Sequence, residues 1–404
     1  MTRFERRLWA GLGLTLLAAI AVLTAAIAWF VHEPATPSTQ GAGLQLGDVL
    51  ADELTDGYAR ADGPRTFRFP ADHGPHPAFR SEWWYLTGHL TAADGERFGV
   101  MFTIFRFSLR PGAPEHPSAW ATDQIFMAHA ALSELDRGRF TARERFSRGA
   151  VGLAGAEAEP FRVWLEDWSI GSAESTTWPW IARYELTAED TAGAPGFATA
   201  RATEVRLELT PLREPVLQGD RGLSQKSAEV GNASYYYSIP RLAATGTITR
   251  DGGALPVSGE LWLDREWSTS ALAEDQAGWD WFALQLEDNR ELMYYQLRDA
   301  DGSPDPQSAG MLLAASGEVT RLTRDEVRLT VTDRWQSPRG GRYPAGWRLE
   351  VPARGLDLII KPLLADQEMA LTFRYWEGAV AVSGRDGDKA VAGTGYAELT
   401  GYAE

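Results

Sequence analysis

The densest group of residues able to do chemistry lies between Gly259 and Ser270, in GELWLDREWSTS, followed by Asp280 in GWDWF. Along an extended strand, successive side chains point to opposite faces. Glu260, Trp262, Asp264 and Glu266 therefore share one face, while Leu261, Leu263, Arg265 and Trp267 take the other. A carboxyl group set among indole rings is poorly hydrated, which disfavours its charged form and raises its pKa. Such an acid can donate a proton to a weakly basic substrate near neutral pH. Asp264, Glu266 and Asp280 are the expected catalytic acids. The competing reading makes Asp264, Arg265 and Glu266 an ion-pair network at a strand end, with Arg298 as a further basic partner. Both readings stay open at this point.

A second aromatic segment, Ser234 to Arg241 (SYYYSIPR), sends Tyr235, Tyr236 and Tyr237 alternately to two faces. One or two of these hydroxyls can reach a cavity; otherwise the segment is a packed strand between domains. All six histidines fall between residues 32 and 129. His73 and His76 bracket Gly-Pro, and His89 and His129 sit inside strand patterns. Their spacing matches no short ligand motif, so neither a metal nor another cofactor is expected. The residues expected to contact substrate are Trp84, Tyr85, His89, His129, Tyr235, Tyr236, Tyr237, Trp262, Trp267 and Trp281. The sequence contains no G-x-S-x-G elbow, phosphate-binding loop or dinucleotide fingerprint.

The elements that must hold these residues are strands. From Arg65 onward, short aromatic and β-branched runs alternate with Gly, Pro, Asp and Asn, the pattern of sandwiches and barrels. Glu82 to Thr91 and Glu96 to Leu109 flank Ala93-Asp94-Gly95, a hairpin signal. If Asp94-Gly95 is a two-residue turn, Trp83 pairs with Arg106 and Tyr85 with Ile104. A one-residue shift of the turn exchanges the faces. The pattern of acid, aromatics, turn and terminal arginine from Glu82 to Arg106 recurs from Asp280 to Arg298. This faint repeat divides the body into residues 61–242 and 243–404.

Composition narrows the function. The chain has 404 residues, no cysteine, and 39 basic against 55 acidic residues, a net charge of −16. Thiolate chemistry and disulfides are excluded, and no nucleic-acid partner is expected of so acidic a body. Arg3, Arg6 and Arg7 precede the apolar run from Leu8 to Val31. That run is long enough to span a bilayer, with its basic flank inside. The expectation is a transmembrane signal anchor over 1–31, with a cleaved signal peptide as the alternative reading, a linker with a possible short helix over 32–60, and a body held outside the cytoplasm.

DHGPHPAFRSEWWYLTGHL (72–90), IFMAHAALSE (125–134), YYYSIPRLAATGTI (235–248) and GELWLDREWSTS…WDWFALQL (259–286) resemble a known family. It is the lipocalin-like carotenoid 1,2-hydratase (hydroxyneurosporene synthase) superfamily, in particular its branch of predicted secreted hydrolases. The resemblance implies an all-β protein of two consecutive lipocalin-like β-barrel domains, with a site in the cleft or cavity between them. It implies cofactor-free hydration of an isolated C=C bond: a carboxylic acid protonates the alkene and water attacks the cation. The matching positions are Asp264 to Trp267 and Asp280, with Tyr235–Tyr237 and Trp281 placed to stabilise a cation. The chain lacks the histidine that the hydratases carry beside their Asp-x-x-Trp motif. Two functions follow. One is an exported hydratase or hydrolase acting on an apolar, isoprenoid- or lipid-like substrate. The other is a non-catalytic lipophile-binding accessory of a membrane transporter such as an ABC-type permease, which the secreted branch often accompanies.

Overall fold

A computed structural model describes residues 55–112, 118–174, 177–187, 202–250, 252–270, 272–273 and 275–403. All belong to one compact unit. The expected anchor over 1–31 lies outside the described residues, as does most of the linker; residues 56–57 form a turn. Among the described residues no helix is long and apolar enough to cross a membrane. Helix there is confined to single 3-10 turns such as Ala71–His73.

Two antiparallel, barrel-like sheets make up the body. The first opens with a meander, β1 (Ser81–Ala92), β2 (Arg97–Ser108), β3 (Gln124–Glu134) and β4 (Arg139–Arg148). It continues through β5 (Ala154–Ala158), β6 (Phe161–Leu165), β7 (Trp168–Ser172), β8 (Trp180–Thr187) and β9 (Ala202–Pro211). Two short strands, β10 (Val216–Leu217) and β11 (Leu223–Gln225), precede the long hairpin of β12 (Ala233–Arg250) and β13 (Gly253–Ser268). In space the order is β4-β3-β2-β1-β13-β12-β9-β8-β7-β6-β5, with β10 and β11 beside β12. The second sheet repeats the meander in β14 (Gln276–Leu286), β15 (Glu291–Asp299), β16 (Ala309–Leu313) and β17 (Val319–Thr323). Then come β18 (Arg328–Gln336), β19 (Arg342–Val351), β20 (Leu356–Pro362), β21 (Glu368–Ala370), β22 (Arg374–Asp386) and β23 (Lys389–Leu399). Their order is β17-β16-β15-β14-β23-β22-β20-β19-β18, with β21 on β22.

The two sheets share one plan. Each begins with a four-stranded meander whose first strand pairs with the last strand of its own sheet, β1 with β13 and β14 with β23. The faint sequence repeat is this plan seen at its first hairpin. The chain changes sheet between Ser268 and Gln276, whereas residue 242 lies inside β12. The reason is packing: Ile239, Leu242, Leu261 and Leu263 all bury into the first sheet's core, so the β12–β13 hairpin stays with it.

The register of the first hairpin differs by one residue from a two-residue turn: Trp83 pairs with Phe105 and Tyr85 with Thr103. Its loop has three residues. The Ala92 N–H bonds the Glu96 carbonyl, and the Gly95 N–H bonds the Ala92 carbonyl. Gly95 takes φ +90°, left-handed backbone that glycine adopts without steric cost. Asn289 (φ +63°) does the same in the β14–β15 turn. Trp83 and Tyr85 therefore share a face with Phe105 and Thr103, while Trp84 and Leu86 share the other with Ile104 and Phe102.

Three apolar clusters result. Trp84, Phe102, Trp168, Trp180 and Leu263 fill the first sheet, and Phe282, Trp347, Leu358 and Trp376 fill the second. The third lies where the sheets meet and joins Tyr85, Met101, Phe105 and Trp262 to Trp281, Tyr295, Met369 and Tyr396.

Candidate functional site

A cavity opens within that third cluster. Strand registers build its walls as rows of neighbouring side chains. From the first sheet come Phe105-Trp83-Glu266-Tyr236 and Thr103-Tyr85-Asp264-Ser238. From the second sheet comes Tyr295-Trp281-Glu398-Glu377. Two hydrogen bonds cross between the walls: the Tyr85 hydroxyl donates to Glu377 Oε2 (2.8 Å), and the Trp281 indole N–H donates to the Tyr236 hydroxyl (3.2 Å).

Asp264 is the focus of the first wall. Its Oδ2 accepts from the Tyr236 hydroxyl at 2.5 Å, and its Oδ1 from the Trp262 indole at 2.7 Å and from the Ser238 hydroxyl. Burial pushes its pKa up, the three donors pull it down, and the balance leaves it at about 7. The group is thus poised between acid and carboxylate near neutral pH. On the facing wall, burial pushes Glu398 up to about 8 against the Trp279 indole donor (3.0 Å). Glu377 is driven well above the usual carboxylate range by burial and by its neighbour Glu398. Its Oε1 has no hydrogen-bond partner among the described residues.

One cation enters this set. Lys226, in the loop after β11, pairs with Glu266 at 3.0 Å and stands 4.4 Å from the Tyr295 ring centre. The Ser234 hydroxyl also bonds Glu266. Glu266 is therefore on the cavity but held as one half of an ion pair.

The structure sorts the residues singled out by sequence. Asp264, Glu266, Tyr85, Tyr236 and Trp281 line the cavity, and Trp262 braces Asp264. Asp280 does not line it. Alternation along β14 turns Trp279 and Trp281 to the cavity and Asp280 away, to an ion pair with Arg298 (3.1 Å) and a bond from the Tyr402 hydroxyl (2.9 Å). Trp84, Tyr235, Tyr237 and Trp267 belong to the first core, on the faces opposite Trp83, Tyr236 and Glu266. His89 bonds the Gly395 carbonyl (2.7 Å) where the sheets touch, and His129 stands behind the cavity wall, bonded to Tyr375. Arg265 turns from Asp264 and pairs with Glu82, which Arg106 also binds. In place of the competing network of Asp264, Arg265 and Glu266, Glu82 binds two arginines on one face and Lys226 pairs with Glu266 on the other. Glu377, Glu398, Tyr375 and Lys226 were missed from sequence. The two glutamates carried a usable signal: each follows an aromatic residue two positions earlier, in YWEG and YAEL. No group of His, Asp and Glu able to hold a metal occurs among the described residues.

Two linked barrel-like sheets of one plan, closing on an aromatic cavity with several carboxyl groups, define a two-barrel, lipocalin-like protein. Residues 60–402 match the family described as AttH-like, and the chain belongs to that family. A crystal structure from Nitrosomonas europaea assigned to AttH is 35% identical, covers 85% of this chain and 99% of its own, and superposes with a TM-score of 0.70. The crystal structure of kievitone hydratase from Nectria haematococca shares the fold, with a TM-score of 0.61 at 16% identity over 85% of this chain and 95% of that one. The kievitone hydratase of Fusarium solani subsp. phaseoli is 22% identical over 173 residues, 41% of this chain and 49% of the relative. The chain thus matches about half the length of that curated relative. The family resemblance carried by the four sequence motifs is borne out at this level.

Proposed function

We propose that the protein is a hydratase, adding water across a C=C bond of a largely apolar substrate held between the two sheets. The observation that carries this reading is Asp264, a carboxyl group with a pKa of about 7 in an aromatic cavity. A general acid works best when its pKa lies near the working pH. Asp264 gives its proton to one alkene carbon, leaving a cation on the other. Trp83, Tyr85, Tyr236 and Trp281 line the cavity, and aromatic rings favour positive charge over their faces. Water adds to the cation and sheds a proton to a base on the wall, giving the alcohol. The hydratase relatives support the reaction class, and the aromatic lining supports an isoprenoid-like or similarly apolar substrate.

The test is water incorporation. Kievitone and short prenyl alkenes are incubated with the protein in ¹⁸O-labelled water, and products are weighed by mass spectrometry. Uptake of one labelled oxygen by the wild type and its loss in Asp264→Asn are the expected results. An apolar ligand that co-purifies and returns unaltered would instead favour the lipophile-binding accessory. We also propose, from Arg3, Arg6, Arg7 and the run Leu8–Val31, that the body works outside the cytoplasm, and, from the resemblance to the secreted branch, that it does so beside an ABC-type permease. Resistance of the body to protease added to intact spheroplasts would overturn that placement.

A further inference from the structure

Behind the cavity wall a second set of groups is joined in line. Tyr375 lines the cavity, and its hydroxyl meets Nδ1 of His129 at 2.7 Å. The other ring nitrogen, Nε2, meets the Glu144 carboxylate at 2.9 Å. His129 is fully buried, flanked by Phe105 and Phe373, whereas the Glu144 side chain retains 12% exposure. Glu144 is steadied by the Thr372 backbone N–H (3.3 Å). The line therefore runs from the cavity to the protein's surface, crossing from β22 of the second sheet to β3 and β4 of the first.

The direction of the hydrogen bonds follows from the ends. An ionised carboxylate only accepts, so Nε2 carries the ring proton and Nδ1 is left bare to accept from the Tyr375 hydroxyl. Burial lowers the His129 pKa, partly offset by Glu144, so the ring stays neutral at pH 7. Among the described residues no other titratable group bonds His129. Burial raises the Tyr375 pKa, and the fields of Glu377, Glu398, Glu144 and Tyr396 raise it further. A free phenolate is thus disfavoured, and Tyr375 can take a proton only while passing its own onward.

We infer that Tyr375, His129 and Glu144 form the proton-accepting arm of this site, with Tyr375 as the general base and the other two as positioning residues. The inference rests on the hydratase reading. As the water oxygen bonds to the substrate cation, one water O–H bond breaks and its proton passes to the Tyr375 oxygen. The Tyr375 proton moves to Nδ1, and the imidazolium formed is paired with Glu144. Protons balance: Asp264 has given one to carbon and His129 has received one. The site resets when His129 releases a proton beside Glu144 and Asp264 takes one from solvent.

The arm can be tested without any substrate. The full chain, labelled with ¹⁵N in its six histidine rings, is titrated by NMR, with His129→Gln assigning the resonance. A neutral ring protonated at Nε2 is expected at pH 7. Tyr375→Phe should shift the Nδ1 resonance and raise the His129 pKa, because a bond to the neutral form is lost. Glu144→Gln should lower that pKa, because the partner of the charged form is lost. A ring protonated at Nδ1, or a resonance indifferent to Tyr375→Phe, overturns the arm whatever the substrate. Kinetics with kievitone then read the function. Tyr375→Phe and His129→Gln should each lower kcat about a hundredfold, as expected for a lost general base, with KM little changed. Glu144→Asp should recover part of the rate lost in Glu144→Gln. Unchanged kcat in Tyr375→Phe also overturns the arm. A wild type that adds no water to kievitone counts against the hydratase reading, and the tautomer measurement still decides the arm.

Discussion

Asp264 and Asp280 are both almost wholly buried, yet their partners give them opposite work. Asp280 faces a guanidinium and forms a buried ion pair with it, although burial outweighs Arg298 and raises the Asp280 pKa as well. Asp280→Asn leaves Arg298 without its counter-charge and should cost about 3–5 kcal/mol in urea unfolding, with ligand chemistry kept in the protein that remains folded. The hydrogen-bond donors to Asp264 are all neutral, and burial raises its pKa to about 7. A carboxyl group that is harder to ionise when folded supports the fold while protonated and loses that support as pH rises. The loss begins near the ordinary aspartate value and is complete just above pH 7, worth up to about 4 kcal/mol for a shift of that size. Asp264→Asn should therefore abolish turnover and lessen the fall in stability between pH 4 and pH 7, read from thermal melts, while the raised Asp280, Glu377 and Glu398 keep part of it. Glu82 runs the other way. Although burial alone would raise its pKa, Arg106 and Arg265 hold it well below the usual range. Its contribution is present above the ordinary glutamate pKa and is lost only in strong acid. Equal falls in stability at pH 7 for both aspartate variants, with ligand chemistry unchanged, would refute the acid role of Asp264.

The β1–β2 hairpin shows what one element controls. Its three-residue loop sets the register that brings Phe105 and Thr103, rather than Arg106 and Ile104, beside Trp83 and Tyr85. A Cβ at Gly95 would meet nothing within 4 Å, so the cost of a side chain there is purely that of left-handed backbone. Gly95→Ala should lower stability by about 1–2 kcal/mol and leave the cavity's ligand binding intact. A much larger loss, or altered binding, would mean the loop carries more than register. Much at this scale was legible in the sequence. Alternation alone divided Trp262, Asp264 and Glu266 from Leu263, Arg265 and Trp267. The turn length was not legible, because Asp94-Gly95 suits a two-residue turn and the end of a three-residue loop equally well.

Across the whole body the two sheets are stitched by buried polar contacts. Arg241 of β12 meets Glu291 of β15 at 2.7 Å, and Gln285 donates to the Pro240 carbonyl at 2.8 Å. Gly99 of β2 lies so close to Ala379 of β22 that an added Cβ would come within 2.6 Å of it. Such contacts couple the unfolding of one sheet to the other, so calorimetry should record a single transition. Two well-separated transitions would contradict this. Arg241→Ala should cost about 3 kcal/mol, the low end for a broken buried pair, because Arg213 still reaches Glu291 at 3.3 Å.

Fold class, the repeat and the acid face of β13 were determined by the sequence itself, because each depends on local periodicity and on residues close along the chain. The roles of the other carboxyl groups were decided only by tertiary structure. Whether Asp280 meets solvent, a cavity or Arg298 depends on which face of β14 the second sheet covers. Glu377 and Glu398 became part of the site because β22 and β23 pair and turn that row toward a wall more than a hundred residues earlier in the chain. A pKa follows from burial and neighbours, and both come into being only when strands distant in sequence are brought face to face.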